Sequence, residues 1–170
     1  MCIRDSLVLS NAAFANLADI DGTAVYPGPA YLEFRRAVLE RNPIAIVTAR
    51  NHPPEELLRL LRKMTDDEGK AVWDDATLFW DQIYIYTCNS PSFEQRFKCQ
   101  GCHITRKKSM AISEFLKVYP NATSRWYSDD DPENLEAVGK LFGELRTTRS
   151  ELKTSLHLAV PGQGLSLIHI

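Results

Sequence analysis

The stretch "NLADIDGTAVYPG", Asn16 to Gly28, sets an apolar run against two carboxylates one residue apart, Asp19 and Asp21, followed at once by Gly22 and Thr23. In an extended segment residues i and i+2 point the same way, so the two acids can share one site while differing in role. Gly22 lets the chain turn tightly as it leaves such a segment. The run from Ala13 to Asp19 therefore reads as a first strand that ends on a pair of like charges.

Working outward, further short apolar runs fall at Pro43 to Thr48, Gln82 to Cys88, Ser124 to Ser128 and Ser155 to Val160. Segments of helical period separate them. Tyr31, Phe34, Val38 and Leu39 share one face; Leu57, Leu58, Leu61 and Met64 share another, after Pro53 and Pro54. Ala111, Ile112, Phe115 and Leu116 make a third stripe, and Leu135, Val138, Phe142 and Leu145 a fourth, after Pro132. This alternation predicts an α/β fold: a Rossmann-like, doubly wound parallel sheet of five strands with helices on both faces. Ligands of such sheets bind beyond the carboxyl ends of the strands. Asp19 with Asp21, Thr48, Asn89 and the run Asp129 to Asp131 sit at those predicted ends.

The chain ends read differently. Met1–Ser6, "MCIRDS", and Leu165–Ile170, "LSLIHI", can be encoded by reverse-complementary DNA, as a sequencing adapter translated at both edges of an insert would be. Residues 1–6 and 165–170 are accordingly set aside, leaving a single predicted domain over 7–164. Its length and apolar content suffice for one core. A net charge of −2 argues against a broad nucleic-acid footprint, although "TRKK" at 105–108 is a local basic patch. No window holds the roughly 18 apolar residues of a membrane span. Cys88, Cys99 and Cys102 are too few for a disulfide scaffold, which predicts free thiols and a cytoplasmic protein.

So many carboxylates at one rim raise each other's pKa unless a cation neutralises them, and Mg²⁺ is the hard, oxygen-seeking ion that also takes a substrate phosphate into its shell. One acid of the Asp19/Asp21 pair can attack as a nucleophile while the other moves the proton.

"DIDGT" with Asp19, Asp21 and Thr23, "IVTAR" with Thr48, "KKSMAISEFL" with Lys108 and "WYSDDDPENL" with Asp129 and Asp130 resemble, in order and spacing, the four motifs of the haloacid dehalogenase (HAD) superfamily of phosphatases. The resemblance implies a phosphomonoester hydrolase of small-cap or capless type that works through an aspartyl phosphate on Asp19, with Asp21 as general acid and base. It implies Mg²⁺ held by Asp19, Asp21 through its carbonyl, and Asp129 or Asp130, with Gly22, Thr23, Thr48 and Arg50 towards the phosphoryl group. Lys108 would offset the charge there. Lys107 competes for that role, but Ala111, Ile112 and Phe115 follow Lys108 at +3, +4 and +7, as a helix packed beneath the lysine requires. Each motif alone also has a plain reading: Asp-Gly-Thr as a turn, Thr48 as a helix cap, "SDDDPENL" as the start of a helix.

"CQGCH", Cys99 to His103, matches the haem-attachment string, and Cys88, Cys99, Cys102 and His103 are zinc-ligand types; unligated thiols are the simpler expectation. Residues 65–81 and 89–106 have the length for a small lid. A mostly open site suits a phosphorylated substrate that is loosely held, either a small molecule or a nucleic-acid end. A receiver-like phosphoacceptor domain is the rival reading, but it wants an Asp at the end of the third strand, where this chain has "YTCNS".

Overall fold

A computed structural model of the chain describes residues 6–10, 14–15, 26–27, 30–62, 82–160 and 164–168. In chain order the elements are β1 (Ser6–Ser10), β2 (Phe14–Ala15), β3 (Tyr26–Pro27), α1 (Tyr31–Leu39), β4 (Ile44–Thr48), α2 (Pro54–Arg62), β5 (Ile83–Thr87), α3 (Pro91–Phe97), α4 (Ile104–Val118), β6 (Ser124–Asp129), α5 (Pro132–Thr148), β7 (Lys153–Val160) and β8 (Gly164–Ile168). The fold is mixed α/β. One sheet has six strands in the order β5-β4-β1-β6-β7-β8, and β2 and β3 pair as a separate antiparallel ribbon.

The five strands from β5 to β7 run parallel, whereas β8 joins β7 antiparallel. This corrects the expected five-stranded, wholly parallel sheet. Gly164–Ile168 includes residues set aside as adapter, yet its backbone pairs with the N–H and C=O groups that the edge of β7 would otherwise leave open. A second correction concerns the first strand, expected over Ala13–Asp19. The central position belongs to Ser6–Ser10, paired with β4 through Val8 and Leu9 and with β6 over its whole length. Three consecutive apolar residues, Leu7 to Leu9, suit a strand flanked on both sides by parallel neighbours. The alanines and asparagines of 11–18 favour a strand much less.

Cores form on both faces because strand residues alternate. Ala45 and Val47 of β4, Tyr86 of β5, Tyr127 of β6 and Leu156 of β7 are buried with Ala111, Ile112, Phe115 and Leu116 of α4 and Leu135, Val138 and Phe142 of α5. Ile44 and Ile46, of opposite parity, are buried too, as are Phe34, Ala37 and Val38 of α1 and Leu57 and Leu61 of α2. Each of the buried Val, Leu, Ile and Phe side chains stabilises the fold by about 1.5–3 kcal/mol through removal from water. Leu39, expected on the inner face of α1, is instead 64% exposed because the helix ends there.

Of the expected lid, residues 89–106 form the short helix α3, a turn and the start of α4. Ser90 caps α3 by accepting from Phe93 N at 3.2 Å, Pro91 fits its first turn, and Phe93 is buried with its ring stacked on Phe97. The other half of the expected lid, 65–81, lies outside the described residues, as does Met64.

Candidate active site at the carboxyl rim of the sheet

Chain order across the five parallel strands reverses between β1 and β6. From β1 the chain steps outward to β4 and β5, then jumps back to β6 and continues to β7. In doubly wound sheets the crevice at that reversal, beyond the carboxyl ends, is where ligands bind. Asp129 is the last residue of β6 and stands at this point.

Asp129 is 0% exposed and all four of its acceptor positions are engaged. Lys108 Nζ donates to Oδ2 at 2.8 Å, and the Tyr127 hydroxyl donates to the same oxygen. Asn134 Nδ2 and the Asp131 N–H each donate to Oδ1 at 3.0 Å. Local sequence accounts for three of the partners; Lys108 comes from α4. Tyr127 lies two residues back on the strand and shares the face of Asp129. Asp131 caps α5 by accepting from Glu133 N at 2.9 Å, which sets the turn that aims its own N–H at Asp129. Asn134 follows one turn in, past Pro132. Burial alone would raise the pKa of Asp129, but the charge of Lys108 and the bonds from Lys108, Tyr127 and Asn134 outweigh it and hold the carboxyl below its ordinary value. Burial, and then the charge of Asp129, push the Tyr127 hydroxyl far up, so it stays a donor.

Asp130 is exposed beside this network, and burial of part of the group together with the neighbouring Asp129 raises its pKa. Asn134 Oδ1 is buried without a hydrogen-bond partner among the described residues. An orphaned amide oxygen next to a carboxylate short of positive charge is the kind of donor set that suits a hard divalent cation. Asp129 itself offers such an ion nothing until one of its four donors lets go. Among the described residues no group of three or more His, Cys, Asp or Glu side chains gathers as ligands.

Both lysines of "KK" are buried, each 4% exposed, but they serve different partners. Lys107 Nζ donates to Asn89 Oδ1 at 2.9 Å and to Glu94 Oε1 at 2.5 Å. Asn89 in turn donates through Nδ2 to the carbonyl of Ala49 at 2.6 Å. The loops after β4 and β5 are thus stitched to the first turns of α4. Thr48, buried at the end of β4, lies opposite Thr87 of β5, whose Oγ1 is buried without a partner among the described residues. With β1 between them, Thr48 and Asp129 stand roughly 10 Å apart at the usual spacing of about 4.8 Å per strand, Thr48 with the parity of Ile44 and Ile46 and Asp129 with that of Tyr127. Arg50, half-buried just beyond, has its pKa lowered by that burial.

Six residues proposed for the site from sequence are thus described: Thr48, Arg50, Lys107, Lys108, Asp129 and Asp130. Asp19, Asp21, Gly22 and Thr23 lie outside the described residues, in the segment connecting β2 to β3. Neither Tyr127 nor Glu94 is one of the residues that the four motifs mark. The period of two leading back from Asp129 carried a signal for the first; nothing local marks the second, thirteen residues before its lysine.

The cysteine expectation is overturned. Cys99 and Cys102 form a disulfide, so neither is a free thiol or an available zinc ligand in this state, and Cys88 is free and buried. Burial pushes the Cys88 thiol up to about 12 despite the nearby charges of Lys108 and Lys107, which makes it an inert, uncharged neighbour. No helix among the described residues is long and apolar enough to cross a membrane. Compared with family models, with curated proteins and with solved structures, the chain matches none.

Proposed function

We propose that the chain is a HAD-like, Mg²⁺-dependent phosphomonoester hydrolase that works through an aspartyl phosphate on Asp19. One observation carries the reading: a buried, fully bonded Lys108–Asp129 pair stands at the end of β6, where the strand order of the mixed α/β sheet reverses, beside an exposed acid. Strand β1 ends at the same rim, with Ser10 in register with Ser128, and the chain reaches Asp19 nine residues later. That length spans up to about 30 Å, so the acids can return to the rim.

In this reading an Asp19 carboxylate oxygen attacks phosphorus, the ester oxygen departs, and Asp21 gives it a proton. Asp21 then takes a proton from water, whose oxygen attacks phosphorus, freeing Asp19 and inorganic phosphate. Lys108, fixed by Asp129, supplies positive charge to the transferring group, and Thr48 donates a hydrogen bond to one of its oxygens. Asp19, the carbonyl of Asp21, Asp130 and Asn134 Oδ1 would hold Mg²⁺, with Asp129 positioning lysine and amide. When bound, the ion neutralises charge that builds on the phosphoryl oxygens. The open rim suits small phosphomonoesters and nucleic-acid ends alike.

The test is turnover of p-nitrophenyl phosphate with Mg²⁺. Wild-type protein should turn over repeatedly, EDTA should abolish the reaction, and Asp19→Asn should lose at least about a thousandfold in kcat. Undiminished turnover in Asp19→Asn refutes the assignment.

A further inference from the structure

The Cys99–Cys102 disulfide closes the connection between α3 and α4, directly ahead of the helix that carries Lys107 and Lys108. Gly101 between the two cysteines has φ +74°, a conformation that L side chains rarely adopt, which makes the tight closure possible. Glu94 is held from both sides of this turn. Its carbonyl accepts from Cys99 N at 3.1 Å, and its carboxylate accepts from Lys107 Nζ. The Lys107 N–H donates to the carbonyl of His103, the residue after Cys102. The disulfide, the last turn of α3 and the first turn of α4 therefore form one mechanical unit.

We propose that Cys99 and Cys102 are a thiol–disulfide exchange site, reduced by a dithiol, whose oxidised form holds α4 and its two lysines in place at the carboxyl rim. A ring this short removes little chain entropy, so it is a poor staple for a domain that already has two-sided cores. Redox chemistry suits the pair better. Cys99 is 2% exposed whereas Cys102 is half-buried, which fixes the order of events. A reductant thiolate attacks Cys102 Sγ, and the Cys99 sulfur leaves as a thiolate that takes up a proton. The second thiol of the reductant then attacks its own sulfur in the mixed disulfide and releases Cys102. Two electrons and two protons pass to the protein, and the dithiol departs as a disulfide. Once the clasp opens, Glu94 loses its fixed anchor, and the first ordered turn of α4 loosens.

Amide hydrogen exchange of the full chain, oxidised and then reduced with dithiothreitol, tests this. On reduction, the amides of residues 107–111 should exchange about tenfold faster while those of 138–146 in α5 hold their rate. The double variant Cys99→Ser/Cys102→Ser should show the fast rate in both buffers. Equal exchange in the two redox states overturns the proposal, and so does acceleration spread evenly over the chain. Alkylation that finds both thiols free after equilibration with oxidised glutathione also overturns it. None of these readouts uses turnover, so the inference stands or falls apart from the phosphatase reading.

Discussion

At the carboxyl rim of the sheet, Lys107, Lys108, Asp129 and Asn134 are buried and bonded to one another's neighbours at fixed distances. At the amino rim, a cavity of about 260 Å³ opens between α1 and the starts of β6 and β7, lined by Arg36, Glu40, Trp126 and Lys153 among others. The charges there are arranged otherwise. Arg36 pairs with Glu40 at 3.0 Å and approaches Glu33 at 4.0 Å, and all three side chains are open to water. Such pairs are screened, exchange readily with solvent and contribute little. The presence of a cavity thus says less about chemistry than the cost of holding charge where water cannot reach. Among the described residues that cost falls at both rims, since Arg125 of the amino-rim cavity is 3% exposed and burial lowers its pKa, but at the carboxyl rim the buried charge has an opposite partner, Lys108 against Asp129.

The contrast can be broken most forcefully at Asp129. Replacing it with Ala leaves the Lys108 ammonium buried without its counter-ion, and urea unfolding should report a loss of about 3–5 kcal/mol. A loss near zero would mean that Lys108 reaches water and that the rim is not the dry network described. Acid sharpens the same point. Because the folded-state pKa of Asp129 lies below its unfolded value, the pair's stabilisation is complete above about pH 4 and is lost as pH falls through the folded value. Wild type should therefore lose stability on acidification below about pH 4 more steeply than Asp129→Asn, followed by thermal unfolding across that range. At the other end of the scale, Arg36→Ala should leave the midpoint of urea unfolding where it was. A clear shift would show that the amino rim holds charge as tightly as the carboxyl rim does.

Much of this arrangement is legible in the letters, for physical reasons that differ by element. The strands β4, β5, β6 and β7 fall within about two residues of their apolar runs, because a parallel strand covered on both faces needs such a run. Likewise, α4 and α5 bury the stripes that their period indicates, with Leu145 only half-covered near the end of α5. Spacing also favours Lys108 over Lys107, and Lys108 is the lysine found against Asp129. Other features depend on partners distant in sequence. The burial of Lys107 rests on Asn89 and Glu94, which no local pattern links to it. The short α3 shows itself only through Ser90–Pro91 and the Phe93–Phe97 spacing. The pair Asp19 and Asp21 points to a strand end just before it, whereas the centre of the sheet belongs to Ser6–Ser10, whose short apolar run carries no such polar marker. Counting cysteines favoured free thiols because chain length and core size do not require a bridge, whereas the Cys99–Cys102 pairing reflects the turn in which the two residues sit.

Trapping of the phosphoenzyme tests the central claim most directly. Protein mixed with Mg²⁺ and a phosphomonoester, quenched in acid within one turnover and digested, should carry a single acid-stable phosphoryl group on the peptide containing Asp19. Turnover without any such adduct, or an adduct on a different residue, would contradict the account.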